Sequence, residues 1–249
     1  MSVEGTKWFR ALRAAPTNRA VVVCFPPGGG SAGAYRALAQ QFAQGIAVYA
    51  VQYPGRQDRL GDPLVTSIAE LADYVTADLL GWGAVPNLAL FGHSMGATVA
   101  FEVARRLQRK DRDPVRLFVS GRIAPDAPYP GRLHAGPDAD LISDLERLAN
   151  DPSSVAVLRA EPALAELVLP PLRADYQAVE TYVFEAGDRL RCPVSVMLGD
   201  ADPTVTIEQA EGWRAHTDGE FDVTTFPGRH FYLDEHVSEV AAHLASRLG

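Results

Sequence analysis

Residues 88–107 read LALFGHSMGATVAFEVARRL, and within them Ser94 stands between two glycines, Gly92 and Gly96. An apolar run precedes the serine and a helix-forming run follows it. A G-x-S-x-G pattern between a strand and a helix lifts a serine hydroxyl to the apex of a sharp turn. Side chains two positions away on either side would collide there, so glycine takes both places. The hydroxyl then lies at a helix N-terminus, where the Met95 backbone N–H can help stabilise an oxyanion. The alternative for the same residues is a tight packing turn without chemistry.

A serine hydroxyl is a poor nucleophile until a base takes its proton, and the base needs an orienting acid. Around such a turn the partners follow in the order serine, acid, histidine, on loops at later strand ends. MLGDADPTV (197–205) offers Asp200 and Asp202. Asp202 fits a G-x-x-D turn that begins at Gly199, with Pro203 fixing the exit, and is preferred. Asp200 is then a turn-stabilising carboxylate. FPGRHFYL (226–233) offers His230, the histidine that follows the last predicted strand. His93 lies inside the turn and reads as structural, His134 belongs to a long inserted segment, and His216, His236 and His243 fall on peripheral helical segments. Phe231, Tyr232 and Leu233 are expected to pack the core below His230.

An oxyanion site needs a second N–H, and the loop FPPGGGSAG (25–33) can supply it. Pro26 and Pro27 have no N–H, so the expected donor is Gly28, with Gly29 in reserve. Gly28, Gly30 and Gly33 also satisfy the dinucleotide fingerprint G-x-G-x-x-G. That reading wants an acid at the end of the second strand, for ribose hydroxyls. The strand there ends AVQYPG, and the nearest acid, Asp58, lies further along the loop. The glycines are better explained as backbone shaping an oxyanion pocket. In YPGRQDR (53–59), Arg56 and Arg59 could meet a phosphate or an acidic partner surface, since guanidinium suits phosphate geometry. Local pairing with Asp58 or Asp62 is the competing reading. ARRLQRK (104–110) reads as the solvated, basic end of a helix.

These loops need a frame. AVVVCF (20–25), IAVYAVQY (46–53), LALF (88–91), RLFVS (116–120), PVSVML (193–198) and FDVTTF (221–226) read as strands. Several are apolar on consecutive positions, as in a parallel sheet covered on both faces. Helical patterns occupy 31–44, 66–80, 95–109, 206–216 and 235–248. In the second of these Ile68, Leu71, Ala72, Val75 and Leu79 share a face, and Ser67 with Glu70 forms a capping box. The alternation predicts an α/β fold with a mostly parallel, doubly wound sheet. Residues 1–125 and 191–249 form its core. Residues 126–190 read as a helical lid inserted between strands, with a separate helical domain as the alternative. Leu141, Ile142, Leu145 and Leu148 form one apolar patch of that segment, and LAELVLPPLRADYQAVETYVF (164–184) adds helical turns interrupted at Pro170–Pro171.

Bulk composition excludes several classes of function. Of 249 residues 47% are hydrophobic and 22% charged, enough for a sizeable core, and the net charge of −8 disfavours nucleic acid as a partner. The N-terminal residues lack the apolar run of a secretory leader, and no window approaches the length of a membrane span. Cys24 and Cys192, the two cysteines, are too few for a disulfide framework or a cysteine metal site and suit a reducing compartment. A cytoplasmic monomer is expected, with neither nucleic acid nor membrane as partner.

Seven blocks in order carry a resemblance across nearly the whole chain: CFPPGGGSAGAYRALA, VQYPGRQDR, FGHSMGATVAFEVARRL, LFVSGRIAP, LPPLRADYQAVETY, GDADP and GRHFYL. The chain resembles the type II thioesterases of polyketide and nonribosomal peptide synthetases, within the α/β-hydrolase superfamily. The resemblance implies a trans-acting enzyme that clears stalled or misprimed acyl groups from the phosphopantetheine arm of acyl or peptidyl carrier proteins. It maps the catalytic triad onto Ser94, Asp202 and His230, makes 126–190 a lid over the acyl pocket, and calls for no metal or organic cofactor. The chain departs from the family's common FPHAGG loop at Pro27 and Gly28, and reads LANDPSSV where the family commonly has two glycines before a Thr-Pro step. The triad residues alone leave open a carboxylesterase, a product-releasing cyclising thioesterase, or a catalytically silent binding module.

Overall fold

The computed structural model describes residues 6–15, 19–85, 87–129 and 131–248. The expectation about a leader falls partly on residues 1–5, which lie outside the described residues. The strands are β1 (Phe9–Arg13), β2 (Ala20–Phe25), β3 (Ile46–Val51), β4 (Leu88–His93), β5 (Arg116–Ser120), β6 (Val194–Gly199) and β7 (Phe221–Phe226). They form one seven-stranded sheet in the order β1-β3-β2-β4-β5-β6-β7. β1 runs antiparallel to β3, with Phe9 opposite Val51, and every other pairing is parallel.

Every residue of β2 through β6 is buried, which is why these strands read as mostly apolar runs, with His93, Arg116, Ser120 and Ser195 as buried polar exceptions. Successive side chains of β2 feed two different cores. Val21, Val23 and Phe25 face α2 (Ile68–Leu80) and α3 (Met95–Gln108). Ala20, Val22 and Cys24 face α1 (Arg36–Gln41) and, further along the chain, α9 (Val237–Ser246). Helices on both faces make the sheet doubly wound, as expected. Ser67 caps α2 by accepting from the Glu70 N–H at 3.4 Å. β1 was not predicted: FRALR buries only Phe9 fully and sits at an edge, so its five residues carry no clear period.

Between β5 and β6 the chain builds α4 (Asp138–Leu148), α5 (Pro152–Ala160) and α6 (Pro162–Glu180), followed after β6 by α7 (Ile207–Glu211) and α8 (Tyr232–Glu235). Leu141, Ile142, Leu158, Leu169 and Leu172 give the insertion a small core of its own. The far end of α6 leaves that cluster, and its Ala178 and Val179 pack into the main core. The predicted interruption at Pro170–Pro171 is not there: α6 runs straight through both. Two prolines remove the helical partners of the Glu166 and Leu167 carbonyls, but both of those residues are exposed and water can serve them. Leu169 and Leu172, buried on the other side, hold the helix together by packing. Among the described residues no helix is long and apolar enough to cross a membrane.

The helix α3 lies hard against the sheet through Ala97, Ala100 and Ala104, none of which is exposed. At its first turn the contact is tighter still. A Cβ on Gly96 would sit 2.0 Å from the Phe25 carbonyl oxygen of β2. Neither backbone can retreat without breaking the sheet. Gly96→Ala is therefore expected to lower stability by about 3 kcal/mol, read as a lower urea midpoint with an unchanged slope.

Candidate active site

β4 ends and α3 begins at a single residue. Ser94 occupies φ 53°, ψ −121°, a conformation that a non-glycine residue adopts only when its surroundings hold it there. Its N–H donates to the Ser120 carbonyl at the end of β5 (2.8 Å), and its own carbonyl accepts the Ala97 N–H (3.0 Å). A Cβ on Gly92 would lie 2.2 Å from the Gly96 carbonyl oxygen, so the glycines on either side of the serine are a steric requirement. Met95 is the first residue of α3, and its N–H has no helical acceptor.

The loop after β6 carries Asp202 and the loop after β7 carries His230. They meet: His230 Nδ1 lies 2.9 Å from Asp202 Oδ2 and 3.2 Å from Oδ1. Both side chains are almost wholly buried. The Thr204 N–H and hydroxyl donate to Asp202 Oδ1 at 2.8 and 2.7 Å. Burial pushes the Asp202 carboxyl upward, but its hydrogen bonds to His230 and Thr204 outweigh that and hold it below the usual carboxylate range. Gly121, after β5, makes room for the pair, since a Cβ there would crowd His93, His230 and Asp202 together. Asp200 instead accepts the Gly228 N–H at 3.0 Å and ties the two loops to each other, the turn role expected of it.

Beneath the pair lies a buried polar stack. His93, fully buried, has its ring 4.8 Å from that of His230. His93 Nδ1 is 2.9 Å from Ser120 Oγ, which is 2.6 Å from the Tyr232 hydroxyl. Burial first, and the neighbouring His230 charge second, push the His93 pKa well below its ordinary value. His93 therefore stays neutral beside His230.

Ser94, Met95, Gly28 and His230 line one cleft, whose far wall comes from α4 and α6 through Leu145, Leu148, Tyr176 and Val179. Tyr176 donates to Asp144 at 2.5 Å, linking the two helices of that wall. No hydrogen bond joins Ser94 Oγ to His230 among the described residues, which is common in hydrolase sites before substrate arrives. The Gly28 N–H has no acceptor among the described residues, whereas the reserve donor, Gly29, gives its N–H to Asp175 Oδ2 at 2.7 Å.

The thioesterase domain family matches residues 20–248. The chain belongs to that family. The thioesterase is 40% identical to a probable cadicidin biosynthesis thioesterase of Streptomyces griseus over 97% of its own length, and spans 66% of that relative. It is 37% identical to thioesterase PikA5 of Streptomyces venezuelae across its whole length and 88% of the relative. Among solved structures, the type II thioesterase BorB from the borrelidin biosynthetic cluster is 40% identical and superposes with a TM-score of 0.87 over 97% of this chain and 98% of that one.

Two expectations about the thioesterase need correcting. Arg56 and Arg59 do not offer a free face to a phosphate, because both guanidiniums are buried and engaged. Arg59 donates to Asp62 at 2.8 Å and to the Gln52 carbonyl at 2.7 Å, and lies over the Trp8 ring. Arg56 pairs with Asp175 and donates to the Pro54 carbonyl at 2.6 Å. Asp58, the other candidate partner, pairs with Arg10. The second correction concerns Phe231, which is half-buried and lines the cleft, while Tyr232 and Leu233 do enter the core. Asp175 and Thr204 were missed. Thr204 sits two residues after Asp202, and a hydroxyl in that turn was a signal to weigh. Asp175 is separated from its partners by more than a hundred residues, and only a contact map reveals it.

Asp202→Asn keeps the shape of the site but loses the charge and the tautomer control over His230, so kcat for thioester hydrolysis is expected to fall about 10⁴-fold. The same carboxyl contributes to stability. Its folded pKa is lowered, so the contribution is complete above the unfolded value of about 4 and disappears as pH falls through the folded one. The stability gap between wild type and Asp202→Asn, followed by urea unfolding, is expected to close as the pH drops below about 4.

Proposed function

We propose that the chain is a trans-acting editing thioesterase, hydrolysing stalled or aberrant acyl thioesters from phosphopantetheinylated acyl or peptidyl carrier proteins through an acyl-enzyme on Ser94. The observation that carries the reading is a strained serine at a helix N-terminus, sharing a cleft with a buried histidine that is bonded to an ionised aspartate. Support for the carrier-bound substrate comes from the relatives, which include type II thioesterases of the borrelidin cluster and of the yersiniabactin synthetase pathway.

His230 takes the Ser94 proton on Nε2 while Oγ attacks the thioester carbonyl carbon, and Asp202 holds Nδ1–H and the imidazolium that forms. The oxyanion accepts hydrogen bonds from the Met95 and Gly28 amides. The C–S bond breaks, and the pantetheine thiol departs with the proton from His230. Because a thiolate is a good leaving group, this step needs less acid assistance than amide cleavage. Water then gives a proton to His230 and attacks the acyl carbonyl. Collapse releases the carboxylic acid and restores Ser94. The helices α4 and α6 act as the lid, and their apolar side chains receive the acyl chain. Two buried, unpaired cysteines suit the cytoplasm, where carrier proteins work.

The test compares short acyl groups loaded on a phosphopantetheinylated carrier protein with the same acyl groups on a small thiol. Wild type is expected to release acid faster from the carrier, and Ser94→Ala to lose at least about 10⁴-fold in kcat. Equal rates from both thiols would point to a free-standing esterase. An active Ser94→Ala would remove the serine mechanism.

A further inference from the structure

The insertion does more than cover the cleft. We propose that Asp175, on α6, is a positioning residue that fixes the oxyanion loop so that the Gly28 amide points into the site; this rests on the proposed role of Gly28.

The loop from Pro26 to Gly30 contains three consecutive glycines, the most flexible backbone available, at a place where an amide has to be held to a fraction of an ångström. Its N–H groups are accounted for one by one. Pro26 and Pro27 have none. The Gly30 N–H donates to the Pro27 carbonyl at 2.9 Å, which pins the peptide unit that also carries the Gly28 N–H. The Gly29 N–H donates to Asp175 Oδ2 at 2.7 Å, which pins the next unit. Only the Gly28 N–H is left, and its own peptide unit and the one that follows are both tethered.

Asp175 is itself held. It is 2% exposed, and its carboxylate is paired with the Arg56 guanidinium, which reaches back to the Pro54 carbonyl. A charged acceptor makes a stronger hydrogen bond to an amide than a neutral one does. The Asp175 Cβ would lie 3.6 Å from a Cβ on Gly28, so the side chain abuts the donor residue as well as bonding its neighbour. Three segments far apart in sequence, residues 27–30, 54–56 and 175, thereby converge on one carboxylate. Arg56, for which the sequence left open a ligand contact or a local pair with Asp58 or Asp62, serves this clamp instead.

The role predicts a loss confined to the charged, tetrahedral state. Asp175→Ala is expected to lower kcat about 10²-fold, with KM within about threefold of wild type. Affinity for a short alkyl boronic acid, which forms a tetrahedral anion on Ser94, should fall in parallel. Asp175→Asn keeps an acceptor for the Gly29 N–H and should recover to within about tenfold of wild type. The double variant Asp175→Leu, Arg56→Met replaces the buried ion pair by apolar side chains, an exchange that folded proteins commonly tolerate. It still lacks the acceptor, so it should show the loss seen with Asp175→Ala while melting as a folded protein. A folded double variant with wild-type kcat and boronate affinity overturns the proposal. So does a loss that lies wholly in KM. Wild type that turns over no thioester and binds no boronate removes the proposed reaction and this role together; wild type that does both, with variants equal to it, removes the role alone.

Discussion

The backbone of Ser94 is held at φ 53°, ψ −121°, and the arrangement of the site follows from keeping it there. A residue in that region costs on the order of 1–3 kcal/mol relative to ordinary backbone. The surroundings that hold it are specific: a hydrogen bond from its N–H to the end of β5, a helix pressed onto β2 with no room for a Cβ at Gly96, and none at Gly92. Relaxing the turn would carry the hydroxyl down into the sheet and swing the Met95 amide with it. The Ser94 hydroxyl and the Met95 amide, the proposed nucleophile and first oxyanion donor, are thus both positioned by one strained turn.

The partners come from the parallel topology. β5, β6 and β7 follow one another across the sheet, so the loops after them open at the same carboxyl edge and can deliver Gly121, Asp202 and His230 to neighbouring points. Below them His93, Ser120 and Tyr232 form a hydrogen-bonded chain through His93 Nδ1, and burial keeps His93 uncharged. A second cation under His230 would oppose the imidazolium that the proposed reaction requires. Burial keeps His93 neutral although the Asp202 charge pulls its pKa upward, and Asp202 makes its hydrogen bonds to His230.

Much of this frame was legible in the sequence, for a physical reason. Strands buried on both faces favour apolar residues at consecutive positions, and β2 and β3 show this most plainly, while β4 to β6 also bury His93, Arg116, Ser120 and Ser195. The serine turn was legible because its glycines answer a local clash, and the meeting of Asp202 with His230 because strand ends come in chain order. The features that escaped are those decided at a distance. β1 is a five-residue edge strand whose pairing with β3 makes it a strand. The prolines of α6 read as a break because local propensity disfavours them, yet packing at Leu169 and Leu172 overrides the loss of two hydrogen bonds. The partner of Arg56 could not be read locally, because the carboxylate that meets it lies more than a hundred residues later.

The proposed reaction passes through a covalent intermediate at one residue, Ser94. The direct measurement mixes the protein with an acyl-loaded carrier protein, quenches on the millisecond scale, and maps acyl adducts by peptide mass spectrometry. An acyl group on the peptide that carries Ser94, formed and consumed at rates that account for turnover, is the predicted result. Turnover at full rate with no adduct on that peptide, or with the acyl group on another side chain, would contradict it.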